Sequence, residues 1–441
     1  MKSFLSLILL SAITLGADAQ KSWTLGECIT YAVSNNISIK QQELVIENSE
    51  LELSTSRNSW LPNLNAGAGQ NFNFGRSPSM ATGIYEQNKS SSTSFSVSSS
   101  MPVFSGMRIT NEIKSNELNL KAATEGLKKA KEDVSLNIAL YYLEALFKKE
   151  ILKVTNEQYA LTAKQTERTE AMVESGSVPR SQLFDIKAQL AKDRLSVTNA
   201  ENDLALSLLN LAQLLNLENV DNFDIVEPEL QENIRFELLQ SPAQIYETAV
   251  STRPRVKEAE YKLQSSEFGI KIAKSYYLPS LSLGLSYNNG FNHIFDDSVP
   301  ATNISEQLRN NQREAIGLNL NIPIFNRMQT RNSIQTARLN QLNRSLELEN
   351  IKLTLQKEIQ QAYQSATAAQ AKFVSTEEAC NAASEAFTYS EEGYGVGKTT
   401  VYEFTEAQAK LFSSRSEQLQ AKYDYLFRVK ILDFYMGKDI E

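Results

Sequence analysis

Glu403 and Glu406 stand three positions apart, just after the glycine-rich turn "EEGYGVGKTT" that ends at Thr400. Two carboxylates can act as general acid and general base. Here they fall on a solvated helix start with no pocket-forming residues around them, so a hydrolytic site is not expected. His293 is the sole histidine and lies in what reads as a polar loop, which excludes histidine triads and clustered histidine metal sites. Cys28 and Cys380 lie far apart in helical sequence, and no disulfide framework is indicated. Cys28 follows Leu25, Gly26 and Glu27, a faint likeness to an acylation site, but Glu27 is the wrong size for that cleavage. It reads as an ordinary half-buried helix cysteine. The net charge is −8 with no basic stripe, so a nucleic-acid partner is not expected. The expectation is a chain that is not an enzyme and binds no cofactor or metal.

The elements that place these residues occur twice. "SWLPNLNAG" at Ser59 returns as "YYLPSLSLG" at Tyr276, displaced by 217 positions. "MPVF" at Met101 returns as "IPIF" at Ile322, and "GSVPRSQLFDIKAQL" at Gly176 as "GKTTVYEFTEAQAKL" at Gly397, both displaced by 221. A displacement held over most of a chain marks a tandem duplication. Each copy reads as helix, strand pair, long helix, turn and returning helix, over residues 20–218 and 242–441.

Four segments alternate with a period of two. Leu64, Ala66, Ala68, Phe72 and Phe74 oppose Asn65, Gly67, Gly69, Asn71 and Asn73. Similar stripes run through Phe95, Val97 and Met101, through Leu281, Leu283, Leu285 and Tyr287, and through Ile316, Leu318, Leu320 and Ile322. They predict strands at about 64–74, 93–103, 281–291 and 315–324, with loops Gly75 to Ser92 and Asn288 to Glu314 exposed between them. The polar faces are Asn, Ser and Gly with almost no charge, which fits lipid outside and water inside. Aromatics flank the strands as interfacial belts: Trp60, Tyr276 and Tyr277 at one end, Phe74, Phe95 and Phe291 toward the other. Four strands cannot close a barrel, so several chains must share one, three being the smallest number that leaves a lumen.

Met107 to Glu174 and Arg327 to Glu392 contain no proline, and a helix of that length reaches on the order of 100 Å. Each stops at a glycine tip and is followed by a returning helix. Leu204, Leu208, Leu211 and Leu215 keep one face of the first return; Tyr425, Val429, Leu432 and Met436 keep that of the second. Shorter helices begin near Thr24 and Pro242. Residues 219–241, with Asp221, Asp224, Glu227, Glu229 and Glu232, form an acidic linker expected as an irregular collar. Met1 to Ala19 has the features of a signal peptide, with the mature chain starting at Gln20. No later segment is apolar enough for a membrane-spanning helix.

The paired "LP" and "PVF/PIF" strand borders, together with the tip "GYGVGKTTVYEFTEAQAKL" from Gly393 to Leu411, resemble the TolC family of outer-membrane efflux ducts over nearly all of the mature sequence. The resemblance implies a membrane α+β fold. In it a homotrimer shares a 12-stranded transmembrane β-barrel, four strands per chain, embedded in outer-membrane lipid and continued by a periplasmic α-helical barrel of antiparallel hairpins. It implies a passive exit duct of a tripartite efflux or type I secretion system, served by a periplasmic adaptor and an inner-membrane RND or ABC pump. It further implies a periplasmic aperture at the tips. Tyr394 falls on the family's tip tyrosine, Glu403 and Glu406 on two aspartates, and Gln182 and Asp185 are their repeat mates. Carboxylates repeated around one axis would make a cation-friendly constriction; acids in a first helical turn also simply oppose the helix dipole. Thr399 and Gln182 replace the family's latching arginine and aspartate, so a salt-bridged lock is not expected, although Lys398 or Arg180 offers a cation one residue away. Gly176, Pro179, Gly397 and Lys398 fall where the adaptor docks, and for the glycines a permissive turn is the primary reading. The rival reading is an exported coiled-coil stalk or adhesin, which leaves the four strands unexplained.

Overall fold

The computed structural model describes residues 22–78, 83–217, 220, 223–227, 240–295 and 303–438. The predicted signal peptide and most of the acidic linker lie outside the described residues. The first copy comprises β1 (Ser22–Trp23), α1 (Leu25–Asn35), α2 (Ile37–Asn58), β2 (Asn65–Pro78), β3 (Tyr85–Phe104), α3 (Arg108–Glu174) and α4 (Arg180–Leu214). After β4 (Asp224–Ile225) come α5 (Pro242–Thr252), α6 (Pro254–Ser275), β5 (Ser280–Ile294), α7 (Ile304–Asn310), β6 (Arg313–Asn321), α8 (Gln329–Gly395) and α9 (Val401–Tyr435).

The duplication holds helix by helix. α1 and α5 have 11 residues each, α2 and α6 22, α3 and α8 67, α4 and α9 35. Capping boxes at Thr24 with Glu27, and at Ser241 with Gln244, start the equivalent helices α1 and α5. Each helix predicted between cap and strand is in fact two. Pro254 pushes Arg253 into extended backbone, with ψ 127°, and breaks the second. In the first, Asn36 takes the equivalent place, and its Oδ1 accepts from the Ser38 backbone N–H at 2.9 Å.

The chain divides into two compact units. One, Glu43–Gly126 with Pro254–Ile351, contains a four-stranded antiparallel sheet in the order β2-β3-β5-β6. Residues directly opposite in such a sheet share a face. Ala66 lies opposite Val97, and Val97 opposite Tyr287; Leu283 lies opposite Leu318, and Leu285 opposite Ile316. The four predicted apolar stripes therefore merge into one face, on which Ile316 is 79% and Leu318 69% exposed.

The strands differ from their predicted extents. The stretch read as a loop from Gly75 to Ser92 is largely strand, since β2 runs to Pro78 and β3 starts at Tyr85. β5 likewise continues to Ile294, and the helix α7 occupies part of the second predicted loop. His293 is thus a strand residue opposite Ser91, with its ring edge-on to Phe295 at 4.7 Å, and not a loop residue. The run of serines and Thr93 from Ser90 to Ser94 has no hydropathy alternation, but backbone ladders on both sides need none. β6 stops at Asn321, short of the predicted 324. As an outer strand it has one ladder, which ends with Ser280 opposite Asn321, and Pro323 has no N–H to extend it.

The second unit holds the remaining described residues. In it β1 pairs in parallel with β4, so part of the linker predicted as irregular is a short ladder. The Tyr142 hydroxyl donates to Val226 O at 2.7 Å, and Lys149 Nζ lies 3.1 Å from the Asp224 carboxylate. Cys28, Ile138, Tyr142, Leu211, Leu215 and Ile225 are buried together around this ladder. Cys28 is fully buried rather than half-buried. The return-helix seams are in place: Leu211, Leu215, Tyr425 and Leu432 are buried, and Leu204, Leu208, Val429 and Met436 are half-buried.

Candidate functional site

At the end of α3, Gly176 has φ 74°; at the end of α8, Gly397 has the same value. The following amides reach back to the helix, Ser177 N to Met172 O and Lys398 N to Gly393 O, both at 2.8 Å. This is the glycine-terminated helix end that requires a left-handed residue. A Cβ at either glycine would meet no atom of the chain within 4 Å, so conformation, and not close packing within the chain, demands glycine there.

The returning helices start differently. Thr400 caps α9: its Oγ1 accepts from the Glu403 N–H at 3.2 Å, while the Glu403 carboxylate accepts from the Thr400 N–H at 2.8 Å and hydroxyl at 2.9 Å. These bonds, the backbone one foremost, hold the Glu403 carboxyl below the usual carboxylate range. In α4 the same two places are Pro179, which has no side-chain cap, and the half-buried Gln182. Glu406 and Asp185, one turn further along their helices, are exposed, as are Lys398, Arg180 and Pro179.

Tyr394 is only 5% exposed. Its ring stacks on Phe404 with centroids 5.1 Å apart, and its hydroxyl shares a hydrogen bond of 3.1 Å with Thr169 of α3. Arg168 Nη2 donates to Gly395 O at 2.8 Å, a second bond between α3 and the end of α8. Thr399 is half-buried against Gly393: its N–H donates to Gly393 O at 3.3 Å, and its side chain occupies the space a Cβ on Gly393 would need. The tip core is completed by Ile186, Phe387 and Val401. Of the predicted aperture set, Tyr394 thus sits in a packed core beside the residue next to Glu403, while Glu403, Glu406 and Asp185 are exposed and Gln182 is half-buried.

Below the tip lies a group that sequence reading missed. Asp193 of α4, 2% exposed, accepts from Thr162 Oγ1 at 2.6 Å, Gln158 Nε2 at 2.9 Å and Gln189 Nε2 at 2.8 Å. Gln408 of α9 donates to Thr162 Oγ1 at 2.9 Å. The available signal was the spacing of Gln158, Thr162, Gln165 and Thr169, which puts four polar residues on one helix stripe.

The family model described as "Outer membrane efflux protein" matches residues 29–217 and 245–438, once in each copy. Outer membrane protein TolC of Vibrio cholerae is 23% identical over 438 residues, covering 97% of this chain and 94% of that protein. Outer membrane efflux protein BepC of Brucella suis is 18% identical over 417 residues, covering 95% and 86%. The fold is similar to that of the Campylobacter jejuni CmeC outer membrane channel, with a TM-score of 0.79 at 17% identity over 94% of this chain and 85% of that one.

Proposed function

The chain belongs to the outer membrane efflux protein family and is an outer-membrane efflux duct with a periplasmic helical part; we propose that it works as a homotrimer that conducts passively, with no covalent step. The observation that carries the trimer is the sheet. Its outer strands β2 and β6 end an open ladder, and one face carries apolar side chains from all four strands, exposed at Leu64, Phe95, Val97, Leu285, Ile316 and Leu318. An open edge and an apolar face in one element are both relieved if sheets from several copies close into a barrel facing lipid. Four strands are too few to leave an interior, and three such sheets give a barrel with a lumen.

We further propose that the tips form the periplasmic aperture and receive the adaptor. Glu403 repeated around the axis would favour cations at the constriction, with Glu406 and Asp185 on neighbouring turns. Gly176, Pro179, Gly397 and Lys398 are offered at the turns for adaptor contact. Energy would come from an inner-membrane RND or ABC pump joined through that adaptor. The buried place of Tyr394 and the packing of Thr399 on Gly393 favour closure through neutral contacts and not through a salt bridge. The test is the mass of the detergent-extracted oligomer combined with its single-channel conductance in a planar bilayer. A trimer with small cation-selective openings is expected; a folded oligomer without conductance would overturn the duct mechanism.

A further inference from the structure

Along α3 the buried stripe changes character. Val134, Ile138, Tyr142, Leu146 and Val154 are apolar, whereas Thr162, Gln165, Thr166 and Thr169, nearer the tip, are polar and equally buried. The second copy lacks most of this change: the repeat mates of Thr162, Gln165, Thr166 and Asp193 are Ala383, Ala386, Phe387 and Ser414. A hairpin of this length therefore folds without the polar group, which calls for another reason to bury it.

The hydrogen bonds have a fixed sense. The Thr162 hydroxyl gives its single proton to the Asp193 carboxylate, so it can only accept from Gln408, and the Gln408 amide must point Nε2 toward it. Gln408 Oε1 is left buried without a partner. Gln165 Nε2, about one turn further along α3, is also buried without one. One orphan is an acceptor and the other a donor, and buried orphans of this kind are rare in folded proteins.

We propose that Thr162 and Gln165 are two alternative seats for Gln408, which set two axial registers of the α8–α9 hairpin against α3. A slide of about one turn toward the tip, on the order of 5 Å, would carry Gln408 from the Thr162 hydroxyl to the Gln165 amide, where orphan meets orphan. The same slide breaks the Thr169 bond to Tyr394 and the Arg168 bond to Gly395, so each register has its own polar set. A polar residue in an apolar seam specifies register because only a matched partner satisfies it. The proposal rests on the duct reading only for the purpose of the motion, which is to rearrange the tips.

The test replaces Gln165 with methionine, which keeps the volume and removes the second seat. Hydrogen exchange of residues 394–408 is followed in the full chain in detergent, beside single-channel recordings. Gln165→Met is expected to slow exchange about tenfold and to reduce opening frequency, and Gln408→Met, which loses both seats, to speed exchange. Exchange in Gln165→Met equal to or faster than wild type would overturn the two-seat proposal. If the wild type forms no pore, the duct reading fails while the exchange comparison still decides the seats.

Discussion

The hydroxyl of Thr400 and the carboxylate of Glu403 hold each other across the first turn of α9, in a reciprocal arrangement that Pro179 and Gln182 do not reproduce at the start of α4. Glu403 therefore has a local structural role as well as the selective role proposed for it. The two separate by substitution, because Gln also serves in a capping box. Glu403→Gln is expected to keep most of the wild-type thermal midpoint, giving up only what the charge adds to the cap, while its cation selectivity falls several-fold in reversal-potential measurements. Glu403→Ala is expected to lose both, and Thr400→Ala to cost about 1 kcal/mol of stability. An unchanged reversal potential in Glu403→Gln would move the selective carboxylates elsewhere.

The same bonds make the start of α9 sensitive to acid. A carboxyl whose folded pKa is depressed contributes stability that is complete above its ordinary value of 4.5 and lost as pH falls through the lower folded value. After correction for intrinsic exchange rates, the Thr400 and Glu403 amides, whose bonds close the cap, are expected to lose protection as pH is taken below 4.5. Glu403→Gln should show no such step, and a step of equal size in both proteins would assign the effect to another acid.

Much of this architecture was legible because it is repeated and periodic. The displacements of 217 and 221 predict equal helices, and the pairs of 11, 22, 67 and 35 residues match. Period-two stripes located the strands, but the side-chain pattern says nothing of how far a backbone ladder extends, and Ser90 to Ser94 carried β3 beyond the visible alternation. The break at Arg253 was written in Pro254; the break at Asn36 is set by a side-chain cap that no pattern marks. At the tips, Gly176 and Gly397 were readable because a left-handed turn demands that residue type. Tyr394 was found by type but not by environment, since its burial depends on Thr169, 225 residues away in sequence. The Asp193 cluster went unread because isolated polar residues in a long helix usually face solvent.

Cys28 gives a prediction at the alkaline end. Burial, with a smaller contribution from Glu27, pushes its thiol from 9.0 up to about 12. A raised folded pKa means that the contribution is complete below the unfolded value and lost as pH rises toward the folded one. Between pH 9 and about 12 folding stability should therefore decline, by about 1.4 kcal/mol per pH unit for one thiol. Tyr142 and Tyr423, also raised mainly by burial, add to the decline with the same sign at higher pH. Comparing denaturant midpoints of wild type and Cys28→Ala across this range isolates the thiol's share. At pH 8 the folded protein is expected to leave Cys28 unmodified by a thiol reagent, and rapid native labelling would contradict its buried place.

The orientation of the sheet toward lipid is tested by two neighbouring residues of β6. Leu318 lies opposite Leu283 on the apolar face, and Asn319 lies opposite Ser282 on the polar one. An arginine facing lipid near the bilayer midplane costs about 2–4 kcal/mol, whereas one facing a water-filled lumen costs little. Leu318→Arg is expected to reduce the yield of membrane-assembled oligomer, as read by extraction and size-exclusion chromatography. Asn319→Arg should assemble like wild type and shift ion selectivity toward anions. If Asn319→Arg blocked assembly and Leu318→Arg only changed conduction, the polar face would have to meet the lipid, and the barrel would be inside out relative to the register of its four strands.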